Sequence, residues 1–391
     1  MINDEETFQS AAKKRLLILL HAGFLLIGIV TVLLGQILPV LSKRLSLNDR
    51  EAGYLFVAQF AGSLLGNFFY NRIIKKFGYL RLLAGGFFLT ACGCAALNFD
   101  AWILSLAAIF LCGVGIGLTI PAVNLLIVEL NREKSSSALN KINFFWGFGA
   151  ILCKPFVDFV GSPGSILLPT ILLCLLFLLA GAAFAVSDFE ENFNRDESFS
   201  ASAKPIWTTR AAWLIAIFNF VHIGIESSVG GWITTYESRL APAAGNNWLS
   251  AAVVFFSFLV FGRAVAPLFF RFLPDNTVLF CSLIVMTAGI VLILWTESFL
   301  FLMTGAATLG FGTSAVFPTN MSRFTKIFGA RATENAAPLF VFGGLGGAFT
   351  TWLVGFTSTA FDSLRTGFLV VLFGCVLLVV LQIILASVKS K

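Results

Sequence analysis

Three polar side chains interrupt one apolar run. They are Asn219, His222 and Glu226, within AAWLIAIFNFVHIGIESSVGGWITT at residues 211–235. His222 and Glu226 are four apart and so share one helix face. A carboxylate in so apolar a segment is costly to insert into a bilayer, so it faces protein or water and has work to do. Glu226 could take up a proton, ligate Na+ or hydrogen-bond a sugar hydroxyl. The alternative is a permanent ion pair that only fixes helices. His222 could couple, since an unperturbed imidazole titrates near pH 6.5, or it could be a hydrogen-bonded spacer. Gly230-Gly231 loosens the backbone one turn later, and Trp232 offers a flat aromatic face.

Lys154 and Asp158 are also four apart, with Lys154 directly before Pro155. At 1.5 Å per residue, Lys154 and Glu226 lie at similar depth, about 20 and 22 Å from the cytoplasmic ends of their helices. A Lys154–Glu226 bridge and a local Lys154–Asp158 pair are both open. Arg263 falls about 21 Å below the outer end of its helix. The amides Gln36, Gln59, Asn124, Asn143, Asn219, Asn320 and Asn335 suit a neutral polyol, because an amide donates and accepts at once. Any one of them could equally join two helices. Trp146, Trp232 and Trp352 could stack on a sugar face. His21 reads as structural. The two histidines stand in no metal-ligand pattern, and the seven cysteines lie in apolar runs as free thiols. No metal and no cofactor is expected, apart from H+ or Na+ as coupling ion. No phosphate-cradling G-x-x-x-x-G-K-S/T is present, and nothing in the chain reads as an enzyme site.

The elements that must position these residues follow from composition. Of 391 residues, 58% are hydrophobic and 12% charged, against about 25% charged in a soluble domain. A spanning helix needs about 20 residues, so the chain holds twelve. Their expected limits are about 16–41, 52–70, 82–97, 102–128, 142–160, 165–186, 211–235, 248–270, 277–295, 299–321, 336–358 and 367–388. Residues 1–15 read as a solvated tail. With the N-terminus in the cytoplasm, about 19 of the 26 Lys and Arg fall inside and about 5 outside, the asymmetry that orients membrane proteins. Both termini are therefore expected in the cytoplasm, in a bacterial-type inner membrane. The net charge of +6 belongs to this topology, not to a nucleic-acid partner. The partners expected are the lipid bilayer and a small solute, with the protein working as a monomer. Residues 187–210 are the long polar stretch, read as a cytoplasmic linker between bundles at 1–186 and 211–391.

The halves repeat. QFAGSLLGNFFYNR resembles FLVFGRAVAPLFFR, with Gly62 opposite Gly262. GIGLTIPAVN resembles GTSAVFPTN, with Pro121 opposite Pro318. FFWGFGA resembles VFGGLGGA, with Gly147 opposite Gly344. Parallel six-helix repeats imply alternating access around a site between them, and Gly/Pro interruptions in matching spans point to that site. The cavity is thus expected among spans 1, 4, 7 and 10, with spans 5 and 11 contributing.

Twelve spans, a polar centre and repeated halves make the chain similar to the major facilitator superfamily. NRIIKKFGYLR resembles the family's loop between spans 2 and 3, with Lys75 where an Asp is usual. HIGIESSVGGWITTY and GRAVAPLFFR resemble stretches of the fucose/glucose–cation symporters and the sodium-dependent glucose transporter-like proteins. The resemblance implies an all-α membrane protein of two pseudo-symmetric six-helix bundles. It also implies a secondary active carrier of a small polar solute, foremost a sugar, and a fold-supporting role for Arg263. The competing readings are an exporter of amphipathic compounds, served by the many phenylalanines, and a transport-inactive sensor.

Overall fold

The computed structural model describes residues 2–162, 164–187, 189, 206–240, 249–295, 297–329, 332 and 335–387. Thirteen α-helices occur among them: α1 (Ile2–Leu45), α2 (Asp49–Phe77), α3 (Tyr79–Ala96), α4 (Trp102–Leu130), α5 (Ser135–Val160), α6 (Leu167–Ala185), α7 (Arg210–Leu240), α8 (Ala251–Phe270), α9 (Asp275–Leu294), α10 (Phe299–Ser314), α11 (Val316–Phe328), α12 (Ala337–Ala360) and α13 (Leu364–Ser387). α10 and α11 are two pieces of one span, so twelve spans remain. Eleven are long and apolar enough to cross a membrane. The twelfth is α5, whose Lys141, Lys154 and Asp158 make it the more polar one. Side chains such as Phe159 (94% exposed) and Phe272 (81%) stand on the outer surface, which suits lipid and not water.

Local chemistry sets the helix limits. The tail expected at 1–15 is instead helical from Ile2. Its Glu, Lys, Arg and Ala residues are helix formers, and neither Gly nor Pro stops them. A capping box opens α2: the Asn48 amide donates to Glu51 Oε2 and the Glu51 amide to Asn48 Oδ1, both at 2.9 Å. Gly78 ends α2 and starts α3 at φ 89°, a backbone region that favours glycine. The two prolines paired in the sequence behave differently. α4 runs unbroken through Pro121. The tenth span breaks at Ala315, which puts Pro318 in the first turn of α11, where its missing N–H costs nothing.

The chain divides into two compact units, residues 1–40 with 58–197 and residues 41–57 with 198–391. Residues 41–57, within the expected first bundle, thus belong with the second unit. The expected linker at 187–210 falls mostly on residues 190–205, outside the described residues. Inside each unit the same helix crossings recur. A Cβ at Gly113 of α4 would meet the Gln59 carbonyl at 2.1 Å, and one at Gly310 of α10 the Phe255 carbonyl at 2.2 Å. A Cβ at Gly149 of α5 would meet the Leu25 carbonyl at 2.1 Å, and one at Gly346 of α12 the Phe220 carbonyl at 2.0 Å. Only glycine allows backbones so close, the small-residue packing common within membranes.

A buried charged cluster on α7

Asn219, His222 and Glu226 stand at i, i+3 and i+7 on α7, one face of the helix. α8 brings Arg263 to the same place. Arg263 Nη2 lies 3.6 Å from Glu226 Oε1, and His222 Nε2 lies 3.5 Å from Glu226 Oε2. His222 is 1% exposed, the Glu226 side chain 18% and Arg263 33%. The contacts are ion-pair distances but not closed hydrogen bonds. Both ring nitrogens of His222, Glu226 Oε2 and Arg263 Nε are buried without a hydrogen-bond partner. Buried polar atoms are normally satisfied, and leaving them unpaired costs free energy. Four such atoms leave hydrogen-bonding capacity unfilled in the cluster.

Amides fix the helix that carries the cluster. Asn219 Nδ2 donates to the Leu339 carbonyl of α12 at 2.9 Å, and Asn320 Nδ2 of α11 to the Ile215 carbonyl of α7 at 3.2 Å. The Oδ1 atom of each is buried and unpartnered, so each amide can still accept one hydrogen bond. Trp232 is fully buried, with its Nε1 donating to the Thr351 carbonyl at 2.9 Å and its ring 5.8 Å from that of Phe56. Its part in this structure is packing. Asn335 sits at the turn before α12, where its carbonyl accepts from Trp207 Nε1 at 3.1 Å. It is not part of the cluster.

The first unit holds the other candidates. Asn143 Nδ2 of α5 donates to Asn124 Oδ1 of α4 at 3.2 Å. Trp146, one turn further along α5, has a buried Nε1 with no partner. Gln36 is buried in α1, and Gln59 Nε2 donates to the Thr31 carbonyl at 2.9 Å. Of the two arrangements open to Lys154, the structure shows the local one, with Nζ bonded to both Asp158 carboxylate oxygens. Glu226 is paired with Arg263 as well as with His222, whereas the family resemblance implies a fold-supporting role for Arg263. A depth comparison would have found the Arg263 contact. Glu226 lies 14 residues before Leu240 and Arg263 12 residues after Ala251, about 21 and 18 Å from the same side. No group of three or more His, Cys, Asp or Glu that could hold a metal occurs among the described residues.

Eleven helices long and apolar enough to span a membrane, with charge buried on α7, define an integral membrane protein of the helical transporter class. A profile of the Major Facilitator Superfamily matches residues 20–333. The chain belongs to that superfamily, whose members are transporters and not enzymes. It is 23% identical over 337 residues to a glucose/galactose transporter of Brucella abortus biovar 1 (strain 9-941), covering 81% of each chain. It is 25% identical over 331 residues to the sodium-dependent glucose transporter 1 of Xenopus laevis, covering 75% of this chain and 64% of that protein. Among solved structures it superposes on a nucleoside transporter with TM-score 0.74 at 12% identity, over 97% of this chain and all of that one. It superposes on a variant of the E. coli fucose:proton symporter with TM-score 0.62 at 18% identity, over 96% and 100%. At these identities the structural likenesses speak for the fold.

Proposed function

We propose that this protein is a secondary active transporter of a sugar, a hexose of the glucose and galactose type, coupled to H+ or Na+ and working by alternating access. The observation that carries the reading is the His222–Glu226–Arg263 cluster, with unpaired buried donors and acceptors in a membrane-spanning helix. A sugar hydroxyl or a cation supplies what those atoms lack. The curated relatives support the substrate class by their printed activities. Asn219 and Asn320 each keep a free acceptor near the cluster's helix, and in the first unit Asn124, Asn143, Trp146 and Gln36 are the proposed sugar contacts. His222 completes the proposed substrate set, and Glu226 with His222, and Lys154 with Asp158, form the proposed coupling set; Trp232, packed and bonded to the Thr351 carbonyl, and Asn335, at the turn before α12, are left out of the substrate set. No cofactor beyond the coupling ion is proposed. The basic-residue asymmetry supports an inner-membrane protein with both termini in the cytoplasm, and the protein is proposed to work as a monomer.

The test is a thermal-unfolding screen of the purified protein against glucose, galactose and fucose, with and without Na+, at two pH values. A bound ligand raises apparent stability by mass action. A rise with a hexose that depends on Na+ or pH is the expected result. Stabilisation by amphipathic cations and by no sugar would replace this reading with an exporter.

A further inference from the structure

We infer that the end of α2, at its turn into α3, is a binding site for an anionic phospholipid. The phosphate sits among Arg72, Lys75 and Lys76, and the acyl chains lie along Phe68 and Leu65. Residues 52–99 hold four basic side chains, these three and Arg81, and no Asp or Glu. All four are exposed. None of them takes part in an ion pair among the described residues, where the pairs belong to Lys154, His222, Arg239, Arg263 and Lys326. Arg72 and Lys76 are four apart on one helix, a spacing at which like charges repel. The matching turn of the second half is built the other way. Four residues past Arg271 stands Asp275, paired with Lys326 of α11. Four residues past Arg72 stands Lys76. The second turn neutralises an acid with a base, and the first leaves its charge for an anion from outside the chain.

Membrane topology asks only for charge near the bilayer edge. This site also has shape. Leu65, Phe68, Arg72 and Lys76 stand at i, i+3, i+7 and i+11 on α2, one face of the helix. Phe68 is 64% exposed, so that face is open and suits lipid. Between Phe68 and Arg72, about 6 Å of rise, it passes from apolar to cationic. A phospholipid makes the same step from acyl chain to phosphate. Aromatic rings hold the cations at that border. The Arg72 guanidinium carbon lies 5.0 Å from the Phe68 ring centre and 5.8 Å from that of Phe69, and Lys76 Nζ lies 5.0 Å from that of Phe77. A cation is attracted to an aromatic face, and a guanidinium presents a planar fork of donors that matches a phosphate. A soluble phosphate would use the cations but not the open apolar stripe below them, so the lipid is the better fit.

The test uses the full-length protein in a neutral detergent and counts bound lipid by native mass spectrometry. Phosphatidylglycerol is the probe and phosphatidylcholine its zwitterionic control. Phosphatidylglycerol should bind at least tenfold more tightly. One basic residue near a membrane surface is worth about fivefold in attraction to anionic lipid, so Lys75→Gln with Lys76→Gln should weaken phosphatidylglycerol binding at least tenfold. Lys75→Arg with Lys76→Arg should keep it, because the charge stays. Lys13→Gln with Lys14→Gln, on α1 and outside the site, should leave it unchanged. Equal binding of the two lipids would overturn the site. So would equal losses from the α1 and α2 pairs, which would mean diffuse attraction to any basic surface. Glycerol 1-phosphate, a headgroup phosphate without acyl chains, should fail to displace the lipid when in large excess. Displacement by it would make this a site for free phosphate and overturn the lipid.

Discussion

Glu226 carries two kinds of charge work at once, holding Arg263 and facing unpaired atoms of His222. If the proposed coupling ion is H+, the carrier needs a group that is protonated in one form and ionised in the other. Glu226→Gln keeps the shape and hydrogen bonding but cannot titrate. It should preserve sugar counterflow while abolishing gradient-driven accumulation in proteoliposomes. Wild-type accumulation by this variant would leave Glu226 as a helix tie or a plain sugar ligand. Arg263→Gln leaves a buried carboxylate with His222 alone and should cost about 2 kcal/mol of stability, below the range for fully buried pairs because Arg263 is partly exposed. Adding Glu226→Gln should restore part of that loss, since the stranded charge goes too. Additive losses in a thermal double-mutant cycle would mean the two are not coupled. The acid was legible in the sequence because charge is rare in apolar runs. Its partner was less so, because Arg263 lies 37 residues further on and only matched depth connects them.

Helices in this protein are placed by what they lack. Gly346 is the sharpest case, since a Cβ there would sit 2.0 Å from the Phe220 carbonyl. Backbone cannot step aside as a side chain can. Gly346→Ala should therefore separate α7 from α12 and lower stability by several kcal/mol, or prevent folding. Gly85 of α3 is the control, because a Cβ added there would find nothing within 4 Å. Gly85→Ala should be neutral or gain up to about 1 kcal/mol, because alanine is the better helix former. Thermal unfolding of both in one detergent makes the comparison. Equal effects would mean that the close crossing does not hold the unit together. The repeated Gly pattern was readable in the sequence, and the crossings of α4 with α2 and of α10 with α8 correspond to it. The effect of proline was not. Pro121 and Pro318 look equivalent by position, yet only the second lies beside a helix break. A proline marks where a helix can open, while packing decides whether it does.

For the whole molecule, hydropathy was enough to count spans, because a bilayer forces every backbone polar group into helix. The span expected at about 142–160 is α5, although its charges dilute its apolar signal. Hydropathy was not enough for the grouping of residues 41–57 with the second unit, which depends on contacts far apart in sequence. Orientation remains a sequence argument, and it can be tested from both sides at once. Glu133, between α4 and α5, and Asp362, between α12 and α13, are both exposed. Twelve alternating spans with an internal N-terminus put residue 133 in the cytoplasm and residue 362 outside. The charge bias agrees, since the stretch 132–141, from the turn after α4 into the start of α5, holds three basic residues, and 361–365, from the turn after α12 into the start of α13, holds one. In a cysteine-free background, Asp362→Cys should label with an impermeant maleimide in intact cells. Glu133→Cys should label only after the membrane is opened. Cysteines at Ser198 and Ser390, which lie outside the described residues, are expected to behave like Glu133→Cys. The α5 helix makes this test severe. If its polar composition kept it from crossing, every later loop would change sides, and Asp362→Cys would be sealed in intact cells. Labelling of Glu133→Cys from outside would instead invert the whole chain, with the linker and both ends on the wrong face.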